Sequence, residues 1–330
     1  MIQFSPEKIW KLTAQELLDL LDTGVLSPKS RTIHFYAPSF MQYRVNSYCS
    51  RPNQFYTISV TGRNCTLNCL HCSGKVLSSM HPAETPEELF NLCAKLKQNG
   101  ASGCLISGGC MPNGSVPLRQ FIPVIEKITG NLGLNVVVHT GIVDSETAHA
   151  LGHAGIDAAL IDIIGSDETI KAICNFEATV EAYTNSLKAL QDAGLNIVPH
   201  VIVGLHYGRL KGEFHALEII SRYKFSALVV IALMPIRGTV MELIEPPKPI
   251  DIARVVAVAR AMFSDAPIAL GCMRPKGRHR ADTDILCLKA GVDAVAFPSE
   301  EAVFYAEKER FTTFFSSVCC SNVFVDKVAK

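Results

Sequence analysis

Three cysteines stand close together in the segment Cys65-Thr-Leu-Asn-Cys69-Leu-His-Cys72, a C-x3-C-x2-C spacing. Thiolates are soft ligands, and three of them on one short loop can hold three irons of a [4Fe–4S] cube. No fourth cysteine lies in the segment, so one iron is left open to take a small molecule. A zinc site would read instead as two paired ligand groups, such as Cys-x2-Cys with a distant second pair. The chain carries twelve cysteines in 330 residues. In a reducing compartment such thiols are metal ligands, catalysts or buried side chains rather than disulfides.

The elements that must position this loop repeat along the chain. Near-continuous apolar runs occur at residues 56–61 (YTISVT), 103–107 (GCLIS), 135–139 (NVVVH), 158–162 (AALID), 197–203 (IVPHVIV), 227–232 (ALVVIA), 267–271 (PIALG) and 293–297 (DAVAF). Runs without polar alternation are the pattern of parallel strands buried on both faces. Helix signals lie between them. Thr85-Pro86-Glu87-Glu88 offers an N-cap, a Pro at the first helical position and a Glu three residues on, and Gly100 closes that helix. Residues 180–193 end at Gly194, 250–263 follow a Pro-rich turn, and 282–290 end at Gly291. Eight strands alternating with helices predict an α/β fold, a full or partial (β/α)8 TIM-type barrel over 51–311. Residues 1–50 read as an N-terminal extension. Residues 312–330 read as a tail able to cover the barrel mouth. An open doubly wound sheet is the alternative.

In a barrel the chemistry gathers at the C-terminal ends of the strands. Cys65–Cys72 follow the first predicted strand and Ser107–Cys110 the second. His139 ends the third and Asp162 the fourth. Gly204–His206 follow the fifth, Arg237 the sixth, and Cys272 and Arg274 the seventh.

The chain balances 31 Lys+Arg against 31 Asp+Glu. That excludes the basic excess of a nucleic-acid reader and gives no electrostatic hint of a docking patch. With 48% hydrophobic and 19% charged residues it is not a disordered chain. No apolar run approaches the roughly 18 residues a membrane span requires, and the N-terminus lacks a signal-peptide pattern, so a cytoplasmic protein is expected.

Cys65, Cys69 and Cys72 resemble the signature of the radical S-adenosylmethionine (SAM) superfamily. The resemblance implies that the open iron chelates the methionine amine and carboxylate of SAM. Reductive cleavage then gives a 5′-deoxyadenosyl radical that abstracts hydrogen from substrate. His71 holds the position where members place an aromatic near adenine. Ser107-Gly108-Gly109 resembles the Gly-Gly-Glu stretch that meets the methionine amine, with Cys110 in place of Glu. Asp162 matches a ribose contact, and Gly204 closes Val201-Ile202-Val203-Gly204, which resembles the strand that backs adenine. Ser186, in Tyr183-Thr-Asn-Ser186-Leu, stands in for the Arg that binds the SAM carboxylate in the biotin synthase branch.

Longer stretches, among them ISGGCMPNGSVPL, VVHTGIVD, LGCMRPKG and the terminal Cys319-Cys320, resemble biotin-synthase-like proteins, in particular subunits of two-protein lipoyl synthases. Biotin synthase itself holds a second cluster with Cys side chains from several barrel strands, and NVVVH and IVPHVIV contain none. The single-chain lipoyl synthases have a Cys triplet upstream of the radical motif, where this chain has only Cys49. The resemblance implies a sulfurtransferase that inserts sulfur into a protein-bound octanoyl-lysine chain, with a sacrificial auxiliary [4Fe–4S] cluster. It implies a second radical SAM subunit, an octanoylated lipoyl-domain or glycine-cleavage carrier protein, and an electron donor such as ferredoxin or flavodoxin. The alternative is a biotin-synthase-like mutase or metal-cofactor maturase with one cluster.

The other thiols divide on the same basis. Cys93, Cys174 and Cys287 fall at apolar helix positions and Cys104 within a strand, so buried structural thiols are expected. Cys49, Cys272, Cys319 and Cys320 form the candidate auxiliary-cluster set, against a harmless tail pair. Cys110 follows a strand at the active face and reads as a small core residue on the bland view. His139, His200 and His206 could contact substrate or cofactor, or be satisfied core histidines. Arg237 and Arg274 could anchor a carboxylate through the guanidinium fork or serve as internal salt bridges.

Overall fold

A computed structural model describes residues 5–28, 30–38, 42–45, 48–51 and 53–328. Eleven strands form one parallel sheet. Its spatial order is Thr312–Ser316, Thr32–Tyr36, Ala294–Ala296, Ile268–Leu270, Leu228–Ala232, Ile197–Val203, Ala158–Asp162, Asn135–His139, Gly103–Ser107, Phe55–Ser59, His81–Pro82. All eight expected strands are present, four with the expected bounds. The two edge strands do not pair with each other, so the sheet is curled but unclosed, a partial barrel. Among the described residues no helix is long and apolar enough to cross a membrane.

Two apolar layers follow from the period-2 alternation of side chains along each strand. Val136 and Val138 face the helices, as do Ile197, Val201 and Val203. Val137, Val198, Ala158, Leu160, Ala269 and Ala294 face the concave side. Many concave residues are small, which leaves room for something to fill the groove. The C-terminal segment fills it. Cys320 and Val323 are buried there, with Val318, Cys319 and Phe324 packed against the same layer. Asn322 Nδ2 donates to Asn135 Oδ1 at 3.1 Å, and the Tyr36 hydroxyl bonds Asp326. The expected tail thus lines the inside of the half-barrel rather than lying only over its mouth.

The helices form where the punctuation placed them. Pro86–Gln98 opens on a complete capping box, in which Glu88 N donates to Thr85 Oγ1 at 3.2 Å and Thr85 N donates to Glu88 Oε2 at 3.2 Å. Val180–Asp192 and Pro249–Met262 match the expected helices to within a residue, and Arg278–Lys289 begins before the expected start at Asp282. The N-terminal extension is tied down by helix Pro6–Lys11, whose last turn leaves carbonyls short of helical partners. Buried Arg254 donates to the carbonyls of Ile9, Trp10 and Leu12 at 3.2, 3.1 and 2.6 Å. The extension also supplies a sheet strand, Thr32–Tyr36, paired on both sides.

Candidate active site

The cysteine loop leaves strand Phe55–Ser59 and is pinned at several points. Ser59 Oγ donates to the Gly62 carbonyl at 2.7 Å, and Thr61 Oγ1 donates to the Asn64 carbonyl at 2.9 Å. Thr61 Oγ1 also accepts from Gly109 N at 2.7 Å, joining the loop to the Ser107–Cys110 turn. Thr66 N donates to the Cys110 carbonyl at 2.9 Å. On the other flank Leu70 N donates to the Ile173 carbonyl, Asn175 Nδ2 donates to the Leu67 carbonyl, both at 2.9 Å, and Cys69 Sγ donates to the Cys174 carbonyl at 3.1 Å. Asn68 takes φ 46°, a left-handed value that asparagine tolerates.

Gly109 is the closest point of this packing. A Cβ there would meet Asn64 O at 2.0 Å and Cys65 Cα at 2.6 Å, so only glycine fits. The Gly-Gly match therefore has a physical cause in this chain: the second turn lies flat against the loop that carries the thiols. Gly204 has φ 73°, and a Cβ there would meet the Pro247 ring at 2.7 Å. Its N–H donates to buried Glu213 Oε1 at 2.8 Å.

The thiols differ in readiness. Hydrogen bonding from the Cys110 thiol, and from the backbone N–H groups of Cys110, Leu67 and Asn68, holds the Cys65 pKa down to about 5. The Cys110 amide lies 3.4 Å from Cys65 Sγ. Cys110 itself is pushed far up by donating to Cys65 and by burial. Cys69 rises to about 12 through its bond with the Cys174 thiol, and Cys72 rises to about 12 through Cys69. Metal loading at these two must release protons. His71 lies between them. Burial opposes its charged form, yet the bond to Cys72 and nearby acidic groups raise its pKa, and its buried Nδ1 has no hydrogen-bond partner.

Further along the sheet, Ser107, His139, Asp162 and His200 share the concave face with Leu105, Val137, Leu160 and Val198, two residues before each. Ser107 Oγ donates to the His139 carbonyl at 3.1 Å. His139 Nε2 approaches Asp162 Oδ1 at 3.5 Å, and the His139 and His200 rings meet edge to face at 5.7 Å. Burial would lower His139, but Asp162 wins and raises it. Burial would raise Asp162, but His139 above all holds it below the usual carboxylate value. Burial pushes His200 down to about 4, so it is neutral at neutral pH.

Cys272, Cys319 and Cys320 come together on the concave side with Cys272 after strand Ile268–Leu270. Donors from Cys320 and Ser321 hold Cys319 down to about 6 against burial. Cys320 is pushed far up by that bond, and burial raises Cys272 to about 11. Cys49 sits exposed on the short hairpin of Arg44–Val45 and Tyr48–Cys49, which packs on the tail through the Tyr48–Phe315 stack and the bond between the Tyr48 and Ser317 hydroxyls. Arg280 was not expected at the site. Its Nη2 donates to the carbonyls of Cys272 and Arg274, its Nε is buried without a partner, and burial lowers its pKa to about 10. The only signal for it was the basic run Lys276-Gly-Arg-His-Arg280.

Other expected residues serve the scaffold. Ser186 is fully buried; its hydroxyl donates to the Ala182 carbonyl at 2.8 Å and accepts from Val143 N at 3.0 Å. A hydroxyl has one proton, so it has none left for a carboxylate. Arg274 is fully buried, bonded to Asp284 Oδ1 at 2.7 Å and to the carbonyls of Gly271 and Phe297, so it is an internal strut. Arg237 is exposed on a loop. His206 bonds Thr169 Oγ1 at 3.2 Å and faces Glu168. Cys93, Cys104, Cys174 and Cys287 are buried as expected, and Cys110 is half-buried beside the cysteine loop. A cavity of about 690 Å³ adjoins the site, lined by Met111, Asn113, Thr140, Ile142 and Asn185 among others.

Residues 59–208 match the model of the Radical SAM superfamily, a span that holds the cysteine loop, the glycine turn and Asp162. With the half-barrel and the loop, that match makes the chain similar to radical SAM enzymes, a class that uses a [4Fe–4S] cluster and SAM. Biotin synthase from Prochlorococcus marinus (strain MIT 9312) is 25% identical over 300 residues, covering 87% of this chain and 84% of that protein. Over most of its length the chain is similar to biotin synthases. Two solved structures share its fold. Methylornithine synthase (PylB) aligns at TM-score 0.64 and 15% identity over 99% of this chain and 96% of that one. The [FeFe]-hydrogenase maturase HydG aligns at 0.63 and 14% over 89% and 65%.

Proposed function

We propose that this chain is a sulfur-inserting radical SAM enzyme and one subunit of a two-protein lipoyl synthase, acting on an octanoyl chain carried by a partner protein. The observation that carries the reading is the meeting of Cys272 with Cys319 and Cys320 inside the half-barrel. Three thiols facing the same groove as the radical site are a fit for an auxiliary cluster that can give up sulfur.

The residues present fit the cofactors of the class. Cys65, Cys69 and Cys72 are the donor set for a cluster with an open iron, and the unpartnered Nδ1 of His71 offers a polar contact beside it. The carbonyls of Gly108 and Gly109 suit the methionine amine. A cluster and SAM bound here supply a carbon radical able to take hydrogen from an unactivated carbon. The chain's own residues hold the loop against Gly109, keep Cys65 ionised, and exclude bulk water with the Val318–Phe324 segment. Arg280 places a cation next to Cys272. A second radical SAM subunit, a lipoyl-domain or glycine-cleavage carrier, and a ferredoxin or flavodoxin complete the system.

A second reading, a single-cluster enzyme on a small molecule, draws support from the nearly full-length likeness to methylornithine synthase. Iron and sulfide content separates the two. With Cys65, Cys69 and Cys72 replaced by Ser, the full-length chain retains about four irons and four sulfides per molecule. Replacing Cys272, Cys319 and Cys320 as well removes them. A triple variant left without iron would leave the second reading standing.

A further inference from the structure

Among the described residues, one group of metal-ligating side chains converges closely: His139, Asp162 and His200, whose ligand atoms lie within 4.8 Å of one another. They come from three adjacent parallel strands. Asp162 pairs with His200 in register, and His139 pairs with Leu160, two residues before Asp162. All three are half-buried and face the concave groove, so they are reachable from it.

Their geometry is that of a ligand set. Two atoms bound about 2.0–2.2 Å from one ion at tetrahedral angles lie roughly 3.4 Å apart. The His139 Nε2 to Asp162 Oδ1 separation is 3.5 Å. That is long for a direct N–H···O bond, whose usual length is about 2.9 Å. His200 Nδ1 lies 3.0 Å from the Val198 carbonyl. A carbonyl only accepts, so the ring proton is on Nδ1 and the Nε2 lone pair is turned outward. Fixing one ring nitrogen on a backbone carbonyl is how proteins orient a metal-binding imidazole.

We propose that His139, Asp162 and His200 form a mononuclear site for a divalent transition-metal ion, with ligands distinct from those of the cysteine loop and of the Cys272–Cys319–Cys320 group. Two imidazoles and a carboxylate suit Zn²⁺, Fe²⁺ or Co²⁺ rather than Mg²⁺ or Ca²⁺. Three protein ligands leave a coordination position open to the groove, where an anionic or carbonyl group of an incoming molecule could bind. Asp162 is then an ion ligand and not the ribose contact expected from the sequence. The site does not depend on the sulfur-insertion reading.

The test is Co²⁺ alone, titrated into metal-free full-length protein carrying Cys65→Ser, Cys69→Ser and Cys72→Ser. One ion per chain is expected, with imidazole scattering in its X-ray absorption spectrum. His139→Gln, Asp162→Asn and His200→Gln each weaken binding by more than about 100-fold. Cys272→Ser, Cys319→Ser and Cys320→Ser leave it within about twofold. Circular dichroism shows which variants fold; for any that does not, the scattering from the unaltered ligands decides. Absence of imidazole scattering, or binding lost with the Cys319 change and kept with the His200 change, would overturn the assignment.

Discussion

Replacing Gly109 with Ala is the sharpest perturbation of the cysteine loop, because it adds one methyl group where the loop backbone passes. The new Cβ would stand 2.0 Å from Asn64 O and 2.6 Å from Cys65 Cα. Ordinary contacts are about 3.5 Å, so loop or turn must move by about 1 Å or more. Neither obstacle is the free end of a flexible side chain, and overpacking of this kind costs about 1–3 kcal/mol. At about 2–4 °C per kcal/mol, the melting temperature falls by roughly 2–12 °C. The displaced residue is Cys65, so iron bound per chain after anaerobic reconstitution falls sharply, and with it SAM cleavage. Gly130→Ala is the control: a Cβ there meets nothing within 4 Å. Wild-type iron content and an unchanged melting temperature in Gly109→Ala would refute the packing argument.

Further outcomes follow from the same geometry. In metal-free protein Cys65, held at about 5, is fully ionised above about pH 6; its alkylation rate, followed by peptide mass spectrometry, therefore stays flat between pH 6.5 and 8.5, while an ordinary thiol speeds up with pH. Cys110→Ala removes the largest cause of that shift, so the Cys65 rate regains a steep rise; a profile unchanged by the substitution would contradict it. Ser186→Ala leaves Val143 N unpaired and costs about 1–3 kcal/mol in denaturant unfolding, with the dissociation constant for SAM unchanged. A weakened SAM affinity at full stability would restore Ser186 as a carboxylate ligand. Arg274→Met strands Asp284 in the core at a cost of about 3–5 kcal/mol, much of it recovered by adding Asp284→Leu; equal unfolding midpoints for the single and double variants would refute the strut.

The strands buried on both faces were legible because their apolar runs have no competing pattern. Asn135–His139 and Ala158–Asp162 have the expected bounds for that reason. Thr32–Tyr36 and Thr312–Ser316 were not seen. Thr-Thr-Phe-Phe-Ser and Thr-Ile-His-Phe-Tyr mix polar and aromatic residues, and their strand character comes from pairing with each other, a contact between the two ends of the chain. At the site, the three-thiol loop and the glycine turn are local in sequence and could be read from spacing. The alternation that turns His139, Asp162 and His200 to one face was implicit in their strands, but their convergence depends on register between strands. Ser186 and Arg274 show the converse. A polar residue in a promising stretch can be consumed by its own scaffold, and only the partners at Val143 and Asp284 reveal it. Cys49 was grouped with the tail cysteines by exclusion; it lies exposed on a hairpin that touches the tail at Phe315 and Ser317.

The central claim, that radical chemistry at the cysteine loop draws sulfur from the Cys272–Cys319–Cys320 group, is tested most directly by one turnover experiment. Anaerobically reconstituted protein is incubated with SAM, a reductant, the second subunit and an octanoylated carrier peptide. Formation of 5′-deoxyadenosine, cluster sulfide and thiolated peptide are followed together. The account predicts that 5′-deoxyadenosine forms, sulfide is lost and sulfur appears on the peptide. It also predicts that a protein with Cys272, Cys319 and Cys320 replaced by Ser still makes 5′-deoxyadenosine but transfers no sulfur. Cleavage of SAM with all cluster sulfide retained, or sulfur transfer surviving that replacement, would contradict it.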